Sequence, residues 1–263
     1  MEFNRVKLDS DGQLGIITLN HPEVMNAVSP EMLEGLSEVL DYVETSDNGF
    51  RCLLMTGEGR GFCTGANLSG RGDNREGAND AGSALETGYH PILRRLRNLP
   101  VPFLTAVNGP AAGVGMSFAL MGDMVLAGRS AYFLQAFRRI GLVPDGGSTW
   151  LLPRLVGMAR ARELALMGEK LPAEKALEWG LINRVYDDEA LMEEAIKLGH
   201  EMAQGPTRAL GLIRRAFWES PDNSYEEQLN LERQSQRQAG RSGDFREGVK
   251  AFLEKRPAQF KGH

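Results

Sequence analysis

Only two cysteines, Cys52 and Cys63, occur in 263 residues. That is too few for a disulfide framework or a cysteine-based zinc site. Histidine is also scarce: His21, His90, His200 and His263 show no ligand-like spacing, so no metal site is expected. Positive charge is not in excess, since 30 Lys and Arg face 35 Asp and Glu for a net charge of −5. Unspecific nucleic-acid binding needs a basic surface, so no nucleic-acid partner is expected. Long hydrophobic runs are missing too. The most apolar stretch, 114–127, is rich in glycine and interrupted by Asp123, so no membrane span is expected. The opening Met1-Glu2-Phe3-Asn4-Arg5 lacks a basic segment followed by an apolar one, so no secretory signal is read and the cytoplasm is the expected location. Three signatures are absent: the phosphate-binding P-loop, the Gly-x-Gly-x-x-Gly of a dinucleotide fold and the Gly-x-Ser-x-Gly nucleophile elbow.

What remains is the composition of a globular protein, 42% hydrophobic and 25% charged. Apolar runs predict strands over 14–19, 51–56, 103–107 and 123–127. Ser29-Pro30-Glu31 predicts a helix start, with a hydroxyl cap, a proline in the first turn and an acid near the positive end of the dipole. Strands alternating with helices give an α/β fold. From about residue 191 onward the pattern is helical, with a capping box at Ser224 and Glu227. The polar, glycine-rich segment 70–88 predicts a surface loop.

Two glycine-rich turns stand out. Gly59-Arg60-Gly61-Phe62-Cys63-Thr64-Gly65-Ala66-Asn67-Leu68 follows one strand, and Asn108-Gly109-Pro110-Ala111-Ala112-Gly113-Val114-Gly115 leads from another strand into a helix. Such turns let a ligand approach the backbone, and a helix start offers unpaired N–H groups. Side by side they can aim two donors at one carbonyl oxygen, an oxyanion hole worth about 3–4 kcal/mol per donor; equally, they serve packing alone. A third segment, Pro144-Asp145-Gly146-Gly147, sets an acid among apolar residues and glycines. Asp145 is either a base whose pKa is raised by desolvation or the cap of the helix beginning near Ser148.

Taken together, these segments resemble the crotonase superfamily, the enoyl-CoA hydratase/isomerase family. The likeness runs from Asn20-His21-Pro22 and Asn26-Ala27, through both glycine turns and Ala176-Leu177-Glu178-Trp179-Gly180-Leu181-Ile182-Asn183-Arg184-Val185, to Glu247-Gly248-Val249-Lys250-Ala251-Phe252. It implies a spiral of ββα units over 1–195 that carries the acyl-CoA site, and a helical C-terminal oligomerisation region over 196–263. It further implies a homotrimer, or a hexamer built from two trimers, and no cofactor, since CoA belongs to the substrate. By motif position, the oxyanion donors are the N–H groups of Ala66 and Val114. The substrate and CoA contacts fall at Val24, Ala66, Leu68, His90, Phe137, Phe252 and Lys255, and the resemblance lets Lys255 serve a neighbouring subunit.

The chain departs from the hydratases of that family. Their two glutamates hold and activate water, and here the two positions are Ser117 and Phe137, which cannot transfer a proton as a carboxylate does. Asp145 remains, and one acid suits an isomerase that removes a proton and returns it elsewhere. Phe137, Leu142 and Val143 are expected to keep water away from it. Within the family the likeness extends to the isomerases of phenylacetate degradation that open a ring epoxide to an oxepin, and to those that shift a double bond, in fatty acid or phenylacetate catabolism. Two alternatives stand beside this reading. One is a hydratase with non-standard acids; the other is a hydrolase resembling 4-chlorobenzoyl-CoA dehalogenases, with His90 activating water and Asp145 as nucleophile.

Overall fold

The apolar runs assemble into a seven-stranded sheet in the computed structural model, which describes residues 1–45, 48–68 and 81–263. At one edge β1 (Glu2–Phe3), β2 (Val6–Asp11) and β3 (Leu14–Leu19) pair antiparallel. From β3 onward the pairing is parallel, through β4 (Cys52–Gly57), β5 (Phe103–Val107), β7 (Met124–Gly128) and β10 (Arg184–Tyr186). Every residue of β4 and β5 is buried, as expected of parallel strands covered on both faces. A second, three-stranded sheet joins β6 (Ala111–Ala112), β8 (Tyr132–Leu134) and β9 (Lys170–Pro172). Isolated bridges Cys63–Ala111 and Val28–Ala66 accompany it. After β5 and after β7 the chain visits the small sheet and then turns helical, which is the ββα spiral.

Among the described residues, seven α-helices belong to this part: α1 (Pro30–Thr45), α2 (Ala81–Ala84), α3 (His90–Asn98), α4 (Val114–Ala119), α5 (Ser148–Met167), α6 (Ala173–Glu178) and α7 (Leu191–Gln204). Ser29 Oγ accepts from the Met32 N–H at 3.4 Å, the expected cap of α1. The C-terminal region is α8 (Thr207–Glu219), α9 (Tyr225–Ala239), with its reciprocal Ser224–Glu227 capping box, and α10 (Gly243–Glu254). Position 195 falls inside α7, whose Leu191, Ala195 and Leu198 pack with Leu54, Leu104 and Leu126 of the sheet.

One segment corrects the sequence reading. Residues 70–80 of the expected loop lie outside the described residues, but 81–88 are helical: α2 continues through a π-helical turn, Leu85–Tyr89, into α3. Tyr89 is buried and Leu85 packs against the core, and this tertiary burial outweighs the poor helix propensity of Gly82, Ser83 and Gly88.

The strand starts are held together by arginines. Arg51 donates to Thr207 Oγ1 at 2.7 Å and to the Phe260 carbonyl at 3.1 Å, tying the C-terminal tail to β4. Arg214 from α8 donates to Asp123 at 2.8 Å and to the Leu96 and Leu99 carbonyls. Asp123 also accepts the Phe103 N–H at 2.8 Å. Burial pushes the Asp123 carboxyl up and the Arg214 guanidinium down, against their mutual attraction.

Candidate active site

The strand ends bring both glycine turns together. Asn108, just past β5, donates to the Gly57 and Gly59 carbonyls, each at 2.8 Å, so it is a turn residue that locks the segment after β4. Asn26, fully buried with φ 55°, donates to the Gly61 carbonyl at 2.7 Å and accepts the His21 N–H at 2.7 Å. Asparagine tolerates the left-handed backbone this requires. At Gly115 a Cβ would come within 2.1 Å of the Cys63 carbonyl oxygen, so the two turns touch only because the residue is glycine. Gly113 has φ 53° and ψ −129°, a conformation reserved for glycine, and it sets the direction in which α4 leaves the turn.

This packing frees the two expected donors. Val28 donates to the Gly65 carbonyl at 2.7 Å and accepts from the Asn67 N–H at 2.8 Å, so the N–H of Ala66 between them points to the opposite side. Val114 is the first residue of α4 and has no partner one turn back. Among the described residues, neither N–H has an acceptor. Cys63 is no nucleophile: burial pushes its thiol up to about 12.

Asp145 sits on the same wall. A Cβ at Gly146 would lie 2.7 Å from Ser117 Cβ and 3.3 Å from Val114 Cγ2, so the turn carrying Asp145 rests on α4 beside Val114. The helix-cap reading fails. No side chain caps α5, and it is the Asp145 main-chain carbonyl that receives the Ser148 N–H at 3.0 Å. The carboxylate oxygen Oδ1 is buried without a hydrogen-bond partner, and burial alone raises the group to about 6.

The remaining expected residues divide. Phe137 is buried, with its ring edge 3.7 Å from the Cβ position of Gly113. His90 opens α3 and, with Leu93, Met121, Gly146, Gly147 and Trp150, lines a cleft of about 300 Å³ behind the Asp145 turn. Trp150 stacks on Trp218 at 5.8 Å, with Arg154 and Arg97 over the outer ring faces. Val24 offers a carbonyl already shared by the Ala27 N–H and Thr64 Oγ1. Leu68 is exposed. Phe252 and Lys255 lie on or just past α10, which is fastened through Asp244 to Lys261 and Gly262 near Arg51, at the far end of the strands. One chain therefore does not bring them to Ala66 and Val114.

The expected shield of Asp145 needs correction. Phe137 is buried, but Leu142 and Val143 are 45% and 79% exposed. Gly141, in the left-handed conformation, and the bond from the Leu142 N–H to the Phe137 carbonyl close a turn that leaves both side chains outside. Sequence reading also missed Asn26 and Ser148 as builders of the site, although the serine three residues after Asp145 is a local signal.

Among the described residues no cluster of His, Cys, Asp and Glu could hold a metal, and no helix is long and apolar enough to cross a membrane. The enoyl-CoA hydratase/isomerase family model matches residues 9–263. The chain is 52% identical to the 1,2-epoxyphenylacetyl-CoA isomerase of Escherichia coli, over 94% of each protein. It is 42% identical over the full length of both to a probable enoyl-CoA hydratase of Rhodobacter capsulatus. The crystal structure of an enoyl-CoA hydratase/isomerase from Cupriavidus metallidurans superimposes with a TM-score of 0.92 at 33% identity, covering 100% of this chain and 98% of that one. With strands, glycine turns and sequence in agreement over nearly its whole length, the chain belongs to the enoyl-CoA hydratase/isomerase family.

Proposed function

We propose that this enzyme is an acyl-CoA isomerase in which Asp145 is the general acid/base and the N–H groups of Ala66 and Val114 hold the thioester oxygen. On a 3-enoyl-CoA the carboxylate removes a proton from C2. The electrons move onto the thioester oxygen, where the two amides stabilise the enolate. Asp145 then returns the proton to C4, and the double bond moves from C3–C4 to C2–C3. Neither water nor a redox partner enters this balance, so no cofactor is required and CoA leaves with the product.

The observation that carries the reading is the carboxyl itself: half-buried, with a bare buried oxygen, raised to about 6, and seated beside an open Val114 N–H. A base whose pKa lies near the working pH transfers protons well in both directions. Ser117 and Phe137 at the hydratase glutamate positions support isomerisation over hydration. The likeness to an epoxyphenylacetyl-CoA isomerase supports a ring-bearing acyl group, and the cleft by His90 and Trp150 is the place for its distal part. Against the dehalogenase-like alternative stands the 52% identity to an isomerase.

The site is completed by a second copy. Phe217, Phe252 and Leu253 are 75%, 82% and 74% exposed on the C-terminal helices, an apolar surface that suits a homotrimer or a hexamer and would carry Phe252 and Lys255 to a neighbour's CoA. A cytoplasmic location accords with two free, buried thiols.

The test is a turnover screen with epoxyphenylacetyl-CoA, a 3-enoyl-CoA, a 2-enoyl-CoA and 4-chlorobenzoyl-CoA. Conversion of either of the first two supports the proposal. Rapid hydration of the 2-enoyl-CoA without double-bond migration, or chloride release, overturns it.

A further inference from the structure

Asp145 is held by its backbone and not by its carboxylate. Its main-chain carbonyl accepts from Ser117 Oγ at 3.1 Å, Ser148 Oγ at 2.6 Å and the Ser148 N–H at 3.0 Å. Both serines are fully buried. Ser117 projects from α4, three residues after the Val114 amide, and Ser148 from the first turn of α5. Gly146 fits between them, closely enough that a Cβ there would collide with Ser117. The helix that presents an oxyanion donor is thus bonded directly to the residue that carries the base.

We infer that Ser117 is a positioning residue, which fixes the Asp145 carboxylate relative to the Val114 N–H by holding the Asp145 main-chain carbonyl. This rests on Asp145 being the base. The choice of acceptor matters chemically. A hydroxyl donated to the carboxylate would stabilise its charged form and lower its basicity. Donated to the peptide carbonyl, the same hydroxyl orients the base and leaves both carboxylate oxygens for the substrate. At a position where hydratases carry a glutamate, this chain carries a serine that sets the place from which Asp145 transfers a proton.

Among the described residues, the charged groups near the Asp145 turn are few: Arg94 and Arg97 line the same cleft as His90 and Gly146. Residues 114–119 of α4 and 148–150 of α5 include no titratable group. Arg138 donates to the Met167 carbonyl and Arg139 to that of Gly168, and His90 lines the cleft on the other side of Gly146. Movement of the carboxylate would therefore register as a change in its own burial.

The experiment compares Ser117→Ala, Ser148→Ala, Asp145→Asn and Thr105→Val with wild type, using a 3-enoyl-CoA between pH 5 and 8. Thr105→Val is the control, because its buried hydroxyl donates to the Ala119 carbonyl at 2.7 Å at the other end of α4 and has no link to Asp145. Ser117→Ala is expected to lower kcat by about ten- to a hundredfold, the scale of a small misplacement of a reacting group. KM should stay within about twofold, and the acid limb of the rate profile should move to lower pH as the carboxylate gains water. Ser148→Ala, acting on the same carbonyl, should move both readouts the same way, and Thr105→Val should move neither. A wild-type kcat and acid limb in Ser117→Ala, or an equal kcat loss in Thr105→Val, would overturn the positioning role while leaving the base assignment intact. Full turnover by Asp145→Asn would overturn the base and the positioning role together.

Discussion

Asp123 and Asp145 occupy opposite ends of the same sheet, and both carboxyls are raised by burial, yet their surroundings are opposites. Asp123, at the strand starts, accepts from the Arg214 guanidinium and the Phe103 N–H, each at 2.8 Å. Asp145, at the strand ends, leaves a buried oxygen without any donor. The first site satisfies its polar atoms and the second withholds partners from a carboxylate and from two amides. Unmet hydrogen-bonding capacity costs stability and is the usual mark of a place kept open for a ligand. The difference teaches that burial alone does not mark a candidate acid; of these two carboxyls, only the proposed base has a buried oxygen without a partner.

The comparison breaks most visibly at Arg214. Arg214→Ala removes a buried guanidinium from the Leu96 and Leu99 carbonyls and leaves the Asp123 carboxylate, a quarter exposed, without its partner; it should cost about 3 kcal/mol in urea unfolding, with turnover per folded molecule unchanged within about twofold. A large fall in kcat of the folded protein would show that the two ends are coupled. Gly113→Ala tests the open end next. The φ of 53° is strained for alanine, although the nearest atoms to its Cβ, at 3.7 and 3.8 Å, leave room. We expect a stability loss of about 1–3 kcal/mol and a fall in kcat on the order of 100-fold as the Val114 N–H is re-aimed; unchanged kinetics would remove that amide from the reaction.

The smallest effect has the opposite sign. The Asp145 carboxyl goes from an ordinary 3.8 to about 6 on folding, so the folded state favours the protonated form. Wild-type stability therefore falls as pH rises from about 4 to 6 and stays at its lower level above that. Asp145→Asn has no such charge and should be more stable by about 1 kcal/mol above pH 6, allowing for partial exposure, and show no gain near pH 4. Equal melting of the two proteins at pH 8 would mean that the carboxylate is not held at a cost.

Much of this was legible locally. The strands of the parallel sheet read as apolar runs because both faces are covered, and α1 and α9 announced themselves through Ser29-Pro30 and the Ser224–Glu227 box. Gly12, the first of the two residues between the paired Asp11 and Leu14, would have signalled the β2–β3 hairpin. The two- and three-residue strands of the small sheet left no periodicity to read. At the site, residue types and motif positions pointed to Ala66, Val114 and Asp145. The choice between base and cap at Asp145 could not be made from sequence, because it depends on which acceptor Ser148 finds. The bond from Ser117 joins residues 28 apart and has no local trace. The exposure of Leu142 and Val143 likewise follows from a turn closed on Phe137.

The most direct test follows a 3-enoyl-CoA to its 2-enoyl product with wild-type enzyme and Asp145→Asn at pH 7. Wild type should isomerise it, and the variant should lose at least about 100-fold, the scale of general acid–base catalysis, with CoA binding retained. Isomerisation at the wild-type rate by Asp145→Asn would contradict the role of Asp145 as the base.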